Sequence, residues 1–329
     1  GGFLNCATAC YSSIGGGYNS RTTGSFATVG GGDTNAASGA YATISGGLSN
    51  NVSSPCSFIG GGRANNVTNA GHSKVIGGGE TNTVSANYFA SILGGYSNTA
   101  SSYGASVVGG MNNTASGCNS FLGNGRYNAS SGNCSTIGGG ESNSASGTRS
   151  FIGGGCANTA SGAYSTVSGG CVNCATCGGT TVGGGLNNRA TGCRTTVAGG
   201  QNNSASGGYW SFIGGGVNNI ACAESVVTGG ANNTASGYRS GIVSGNSNVS
   251  SGIRAFIGGG GINTASSTYA TIVGGKCNTA SGTYSFVGGG CGNSASANSS
   301  TVVGGCGTVA SGACSLAGGR TNTASGALV

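Results

Sequence analysis

The chain carries one pattern of apolar and polar positions along its whole length: aliphatic, x, Gly, Gly, x, x, Asn, x, Ala, Ser, Gly, x, aromatic or polar, Ser, Thr. The stretch from Val167 to Thr181 is one unit. With the aliphatic residue as position 1, it occurs 21 times between Ile14 and Leu316, mostly 15 residues apart and never outside 14 to 17. Such self-similarity signals a repeat array. Position 14 is Ser, Ala or Thr except at Lys74 and Cys314, and it lies two residues before the next position 1, so both share one face of a strand. Position 7 is Asn in 19 of 21 repeats and position 9 is Ala in 15, with Val52, Val67 and Val84 as larger substitutes; these two positions again share a face.

Each repeat therefore predicts two short strands, with turns at Gly-Gly (positions 3 and 4) and at Ser-Gly (positions 10 and 11), where positive φ costs least. Helix is excluded by poor propensity at nearly every position. Two strands and two turns per 15 residues describe one coil of a β-solenoid, a parallel β-roll. About 22 coils would fill residues 1–329 as a single continuous domain, with neighbouring coils about 4.8 Å apart. Like side chains then stack. The asparagines, among them Asn143, Asn158, Asn173, Asn188 and Asn203, form a ladder whose amides bond along the axis and to the turn backbone. One large aliphatic and one alanine per coil make a thin core, so partner chains are expected.

Composition narrows the class. Glycine accounts for 75 of 329 residues, proline for one, and only 15 residues are charged. Collagen is excluded because the glycine period is not three. Disorder is excluded by recurrent Val, Ile and Thr and by the scarcity of charge. Asp33, Arg63, Glu80, Arg126, Glu141, Lys276 and Arg320 all fall at position 5, which reads as an exposed turn tip. The net charge of +7 is spread along the chain without a cluster, so no nucleic-acid partner is expected. The four acids and His72 lie on different coils and assemble no nucleophile, base and orienting group; no enzyme activity is expected. No leader, membrane span or anchor is visible, and no membrane insertion is expected.

Two outward columns stand out. Three residues before position 1 lie Tyr11, Phe26, Tyr41, Phe89, Tyr164, Trp210, Tyr269 and Tyr284, interspersed with Arg149, Arg194, Arg239 and Arg254. Immediately before position 1 lie Phe58, Phe121, Phe151, Phe212, Phe256 and Phe286 among threonines. Exposed Phe at this frequency predicts an interface between chains, with a glycan-binding stripe as the alternative.

The 15 cysteines point to an oxidising, extracellular setting. Cys156 with Cys171, and Cys291 with Cys306, occupy position 5 of adjacent coils and are expected as disulfides. Cys118 with Cys134, and Cys177 with Cys193, are candidates one residue out of phase. Cys171, Cys174 and Cys177 have a metal-like spacing, but ligands three apart on an extended coil face different sides, so neither a metal nor a cofactor is expected. Nine Asn-x-Ser/Thr sequons, including Asn51, Asn66, Asn112 and Asn232, match chance in so Asn-rich a chain.

The pattern Ser-Gly-x-Tyr-Ser-x-Val-x-Gly-Gly, clearest over residues 160–170, 280–289 and 36–47, resembles the head repeat of YadA-like trimeric autotransporter adhesins, and similar arrays resemble those of viral fibre proteins. The resemblance implies a left-handed parallel β-roll shared by three chains. The period of 15 in place of 14, the more regular Asn ladder and the cysteines depart from it. The sequence thus predicts a self-associating structural subunit of a fibre or filament at a cell or virion surface, as a homotrimer or an end-to-end filament. An adhesin head with a glycan or surface receptor is the alternative. An ice-binding solenoid ranks third, because the threonine column before position 1 is interrupted by Phe in six coils.

Overall fold

A computed structural model describes residues 1–326. The described chain is all-β with no helix, and forms a β-solenoid of about 21 turns with a repeat of about 15 residues in two parallel sheets. It divides into two compact units, the first from Gly1 to Gly169 and the second from Gly170 onward. The first unit runs from strand Cys6–Ala7 to strand Thr166–Val167, and the second from Cys174–Ala175 to Thr323–Ala324. In both, positions 15 and 1 build one sheet, the aliphatic sheet, and positions 8 and 9 build the other, the alanine sheet. Register follows the sequence frame. In the first unit Phe121 pairs with Thr136 and Leu122 with Ile137, while Thr99 pairs with Thr114 and Ala100 with Ala115. In the second unit Thr271 pairs with Phe286 and Ile272 with Val287, while Thr279 pairs with Ser294 and Ala280 with Ala295. Position 5 adds a third line of single bridges, such as Arg63 to Glu80.

The inward residues are those expected. Ile44, Ile92, Ile152, Ile213 and Ile272 are fully buried, as are the facing alanines Ala100, Ala160, Ala205 and Ala265. Burial of one Ile or Val per coil contributes about 1.5–3 kcal/mol, which leaves much of the coil's cohesion to hydrogen bonds. The asparagine is the centre of these. Asn263 Nδ2 donates to the carbonyls of Gly259 (3.0 Å) and Gly275 (2.9 Å), and Asn263 Oδ1 accepts the Asn278 N–H (3.0 Å). Direct amide-to-amide bonds are secondary, as from Asn263 Nδ2 to Asn248 Oδ1 at 3.1 Å. The ladder thus clips the glycine turn of its own coil and of the next to one side chain. At position 4 glycine is required twice over: Gly275 has φ +89°, and a Cβ there would lie 2.2 Å from the Gly290 carbonyl oxygen and 2.6 Å from Asn278 Nδ2.

Coil length varies at one corner. From position 1 to position 9 the count is constant in regular and irregular coils up to the one that begins at Val302, as from Ile59 to Val67, Ile76 to Val84 and Ile213 to Ala221; only the last described arch, from Ala317 to Ala324, is one residue shorter. In all the other coils extra or missing residues fall between position 9 and the next position 1. An arch whose amide bridges two coils cannot change length without misplacing that amide, whereas the corner opposite carries no such clamp; in the last described turn, where the arch is shortened, Asn322 Nδ2 bonds the Gly318 carbonyl of its own coil. The coil from Ile59 to Ile76 uses the corner to bury a lysine. Lys74 sits at the inward position 14, fully buried, and its Nζ donates to the carbonyls of Thr68 and Asn69 within the enlarged corner. Burial holds its amine below the ordinary lysine value.

Two expectations are corrected. In the last turn the inward residue is Ala317, which pairs with Val302 and is 6% exposed, while Leu316 is 57% exposed and pairs with Thr301. The coil keeps its 15-residue step, and one residue is lost after Ala317, where the pairing register shifts. Cys314 consequently stands at position 13, and the buried position 14 is Ser315. The turns are also not confined to glycine. Positions 6 and 13 adopt left-handed φ with ordinary residues, as in Asn112 (54°), Tyr127 (56°), Tyr164 (59°) and Arg254 (55°). A left-handed non-glycine residue costs roughly 1–2 kcal/mol, and the fixed stacking of coils over-determines the geometry that carries this cost.

Candidate interaction faces

The outward face of the aliphatic sheet is formed by positions 15 and 2, which flank the buried position 1 on the same strand. All six phenylalanines at position 15 are followed two residues later by glycine: Gly60, Gly123, Gly153, Gly214, Gly258 and Gly288. The rings of Phe58, Phe151, Phe212 and Phe286 lie over these glycines, since a Cβ built on Gly60, Gly153, Gly214 or Gly288 would meet the ring at 3.4–3.6 Å. The reverse also holds. Where position 2 is Leu93, Val108, Val243, Val273 or Val303, position 15 is Ser91, Ser106, Gly241, Thr271 or Thr301. Phe at position 15 and Leu or Val at position 2 thus exclude one another, while coils such as those with Thr28 and Gly30, Thr136 and Gly138 or Thr166 and Ser168 carry small residues at both, so no coil raises bulk in both columns. No charged residue stands at either position, and Phe151 remains 42% exposed. The expected interface phenylalanines are therefore present on an uncharged and partly apolar face.

Position 13 builds the second face. In the first unit Tyr11, Phe26 and Tyr41 stack in parallel with ring centroids 4.8 Å apart. Arg149 lies 5.3 Å from the Tyr164 ring and donates to its hydroxyl. In the second unit Tyr269 and Tyr284 stack at 4.9 Å, Arg254 lies over Tyr269, and Arg194 lies over Trp210. These contacts satisfy the aromatic faces along the axis and leave the ring edges outward. At the enlarged corner His72, Tyr88, Phe89 and Tyr103 form an edge-to-face cluster with centroids 4.9–6.5 Å apart.

Position 5 is exposed as expected, and its charges pair between neighbouring coils: Arg63 with Glu80 at 3.4 Å and Arg126 with Glu141 at 2.8 Å. Exposed pairs of this kind contribute at most about 1 kcal/mol. Among the cysteine candidates, Cys177 and Cys193 are joined in a disulfide across a sequence separation of 16. Cys118 and Cys134 adjoin through a backbone bond from the Cys134 N–H to the Cys118 carbonyl (2.7 Å), and Cys291 and Cys306 face each other in a β-bridge. These four residues carry thiols, so the Cys291–Cys306 and Cys118–Cys134 disulfides are not formed in this structure. For Cys291 and Cys306 the physical reason is that in-register parallel pairing aims neighbouring Cβ atoms side by side, whereas a relaxed disulfide needs them turned about 90° apart; nothing in the structure explains why Cys118 and Cys134 differ from Cys177 and Cys193. Cys156 belongs to the first unit and Cys171 to the second. Among the described residues no group of three or more His, Cys, Asp or Glu is placed to hold a metal, and Cys177 of the Cys-x-x-Cys-x-x-Cys run is taken by its disulfide.

The columns were readable singly from the sequence. The coupling between positions 15 and 2 was also in the sequence, and emerges when columns are compared across a strand. The left-handed backbone at positions 6 and 13 has no such signal, because Tyr, Arg and Ser are not residues that announce positive φ. Compared with known protein families, the chain matches none, and no curated protein matches it.

Proposed function

We propose that this protein is a structural, non-catalytic subunit of an extracellular fibre or filament at a cell or virion surface, and that copies pack side by side through the outward face of the aliphatic sheet. The observation that carries this reading is the mutual exclusion of bulk at positions 15 and 2. A chain that only had to keep its face soluble would have no use for pairing every phenylalanine with a glycine. An uncharged surface that no coil raises in both columns suits a flat partner, and a second copy supplies one. Each phenylalanine ring has about 80 Å² left to bury, worth about 2 kcal/mol by area. The Cys177–Cys193 disulfide agrees with an oxidising compartment. The adhesin-head resemblance favours three chains, and unpaired strand edges at a solenoid end favour axial continuation.

The test is the assembly state of the full chain, by light scattering and electron microscopy, for the wild type and for the double variant Phe121→Lys, Phe151→Lys. The wild type is expected to assemble at micromolar concentration, and the variant to remain folded by circular dichroism but to dissociate. A monodisperse wild-type monomer would overturn the proposal. The position 13 column favours a second reading, an adhesin face for a glycan: its aromatic and arginine side chains persist at a backbone conformation where Gly or Asn would be less strained. Glycan-array binding lost in Tyr41→Ala but kept in Phe151→Lys would support it.

A further inference from the structure

The outward face of the alanine sheet differs from both surfaces described above. It is formed by positions 8 and 10, which flank the buried position 9. Over six consecutive coils of the first unit, position 8 is Thr83, Thr99, Thr114, Ala129, Ser144 and Thr159, and the residue two further on is serine in every coil, from Ser85 to Ser161. The six strands pair in unbroken register, Thr83 with Thr99, Thr99 with Thr114, Thr114 with Ala129, Ala129 with Ser144 and Ser144 with Thr159. Eleven of twelve outward positions thus carry a hydroxyl, and none carries a charge or an aromatic ring. Among the described residues, none of these hydroxyls takes part in a side-chain hydrogen bond within the protein. Polar side chains elsewhere on the same face do so: Ser53 Oγ donates to the Val67 carbonyl and Asn51 Nδ2 donates to Asn66 Oδ1.

The result is a two-dimensional mesh of free hydroxyls on a rigid sheet. Its cell is about 4.8 Å between strands and about 6.8 Å between residues two apart on one strand. A tetrahedral network of waters joined by hydrogen bonds of about 2.75 Å has second neighbours about 4.5 Å apart and a stacking repeat of about 7.3 Å. The two meshes agree within about a tenth in both directions, and the offset accumulated over six coils is about 1.5 Å, less than one hydrogen-bond length. A small soluble ligand would need a concave pocket with convergent polar groups, and a single glycan chain would favour aromatic platforms; this face has neither. A partner that is flat, uncharged, hydroxyl-compatible and periodic in two directions is a crystal surface. We propose that the hydroxyl mesh from Thr83 to Ser161 binds the surface of ice. The threonine column on the aliphatic sheet, interrupted by phenylalanine, is the wrong face for this; the regular array lies on the other sheet.

The test is partition of the full chain into a slowly growing ice hemisphere, with an inert globular protein as the exclusion control. The wild type is expected to enter the ice at least tenfold above that control. Thr114→Tyr and Ser116→Tyr, each raising a ring in the middle of the mesh, should fall to the exclusion level, while Met111→Tyr at the exposed position 5, on neither sheet, should partition like the wild type. Ser116 is fully outward, so its variant keeps the test valid if Thr114→Tyr fails to fold. Exclusion of the wild type, equal partition of the mesh variants and Met111→Tyr, or adsorption to microcrystalline cellulose in place of ice would each overturn the proposal.

Discussion

Removing one rung of the asparagine ladder should open the solenoid locally, and by an amount the geometry fixes. In Asn263→Ala the Asn278 N–H loses its acceptor inside the coil, a penalty of about 1–3 kcal/mol for a buried unsatisfied donor. The Gly259 and Gly275 carbonyls each lose a donor, at about 0.5–1.5 kcal/mol apiece. The total is about 2–6 kcal/mol, concentrated at the junction of two coils because repeats contact only their neighbours. The chain contains its own control. At Ser20, where the ladder has serine, the hydroxyl oxygen still accepts the N–H of Asn35 at 3.2 Å. Asn263→Ser should therefore keep the acceptor and lose only the bonds donated by Nδ2, to the two carbonyls and to Asn248 Oδ1. Hydrogen exchange of the Asn278 amide reads the difference directly: exchange in Asn263→Ala should be at least tenfold faster than in Asn263→Ser, since 1.4 kcal/mol is a factor of ten. Equal exchange in the two variants would mean that the amide's acceptor role is not what holds neighbouring coils together.

Ile152→Asp places an unpaired carboxylate at a fully buried position, and should cost more than about 4 kcal/mol, seen as loss of the cooperative thermal transition of the first unit. Lys74→Met should stabilise the coil at neutral pH, because the wild-type amine is buried with a lowered pKa. The unfolded chain holds that proton up to its ordinary value near about 10.4, so the wild type should gain stability as pH rises from the lowered folded value towards 10.4, and Lys74→Met should not; denaturant titrations at several pH values decide. Reducing the Cys177–Cys193 disulfide, which closes a loop of about 16 residues, should lower the stability of the second unit by about 3 kcal/mol, and a denaturation midpoint indifferent to reductant would contradict this.

The fold was legible because a stacked array forces the same demand on the same position in every coil. Ile152, Ala160 and Asn143 each answer a constraint repeated some twenty times, so periodicity alone identified the core, the two sheets and the ladder. Legibility failed where a single coil departs from the rest. Leu316 looked like the inward residue because it is the larger hydrophobe, yet the register set by Val302 places Ala317 inside. Lys74 stood out as an exception at an inward position, but nothing in the sequence revealed that the corner would supply two carbonyls to receive it. The faces were only partly legible. Phe151 was recognised as outward and apolar, whereas the glycine beneath its ring and the hydroxyl mesh on the other sheet required knowing which columns lie side by side.

The constant arch from position 1 to position 9 also separates two kinds of genetic change. Loss or duplication of a whole coil by unequal recombination between near-identical repeats leaves each junction with the contacts it had, because every coil presents the same edges to its neighbours. A single-codon insertion in the arch displaces an amide that serves two coils at once, whereas the same insertion at the opposite corner only enlarges a surface loop, as it has around His72 and Tyr88. Copy number and corner sequence are therefore the two variables in which such a lineage can drift most freely, and the arch, shortened only in the last described turn, is the part it transmits with least change.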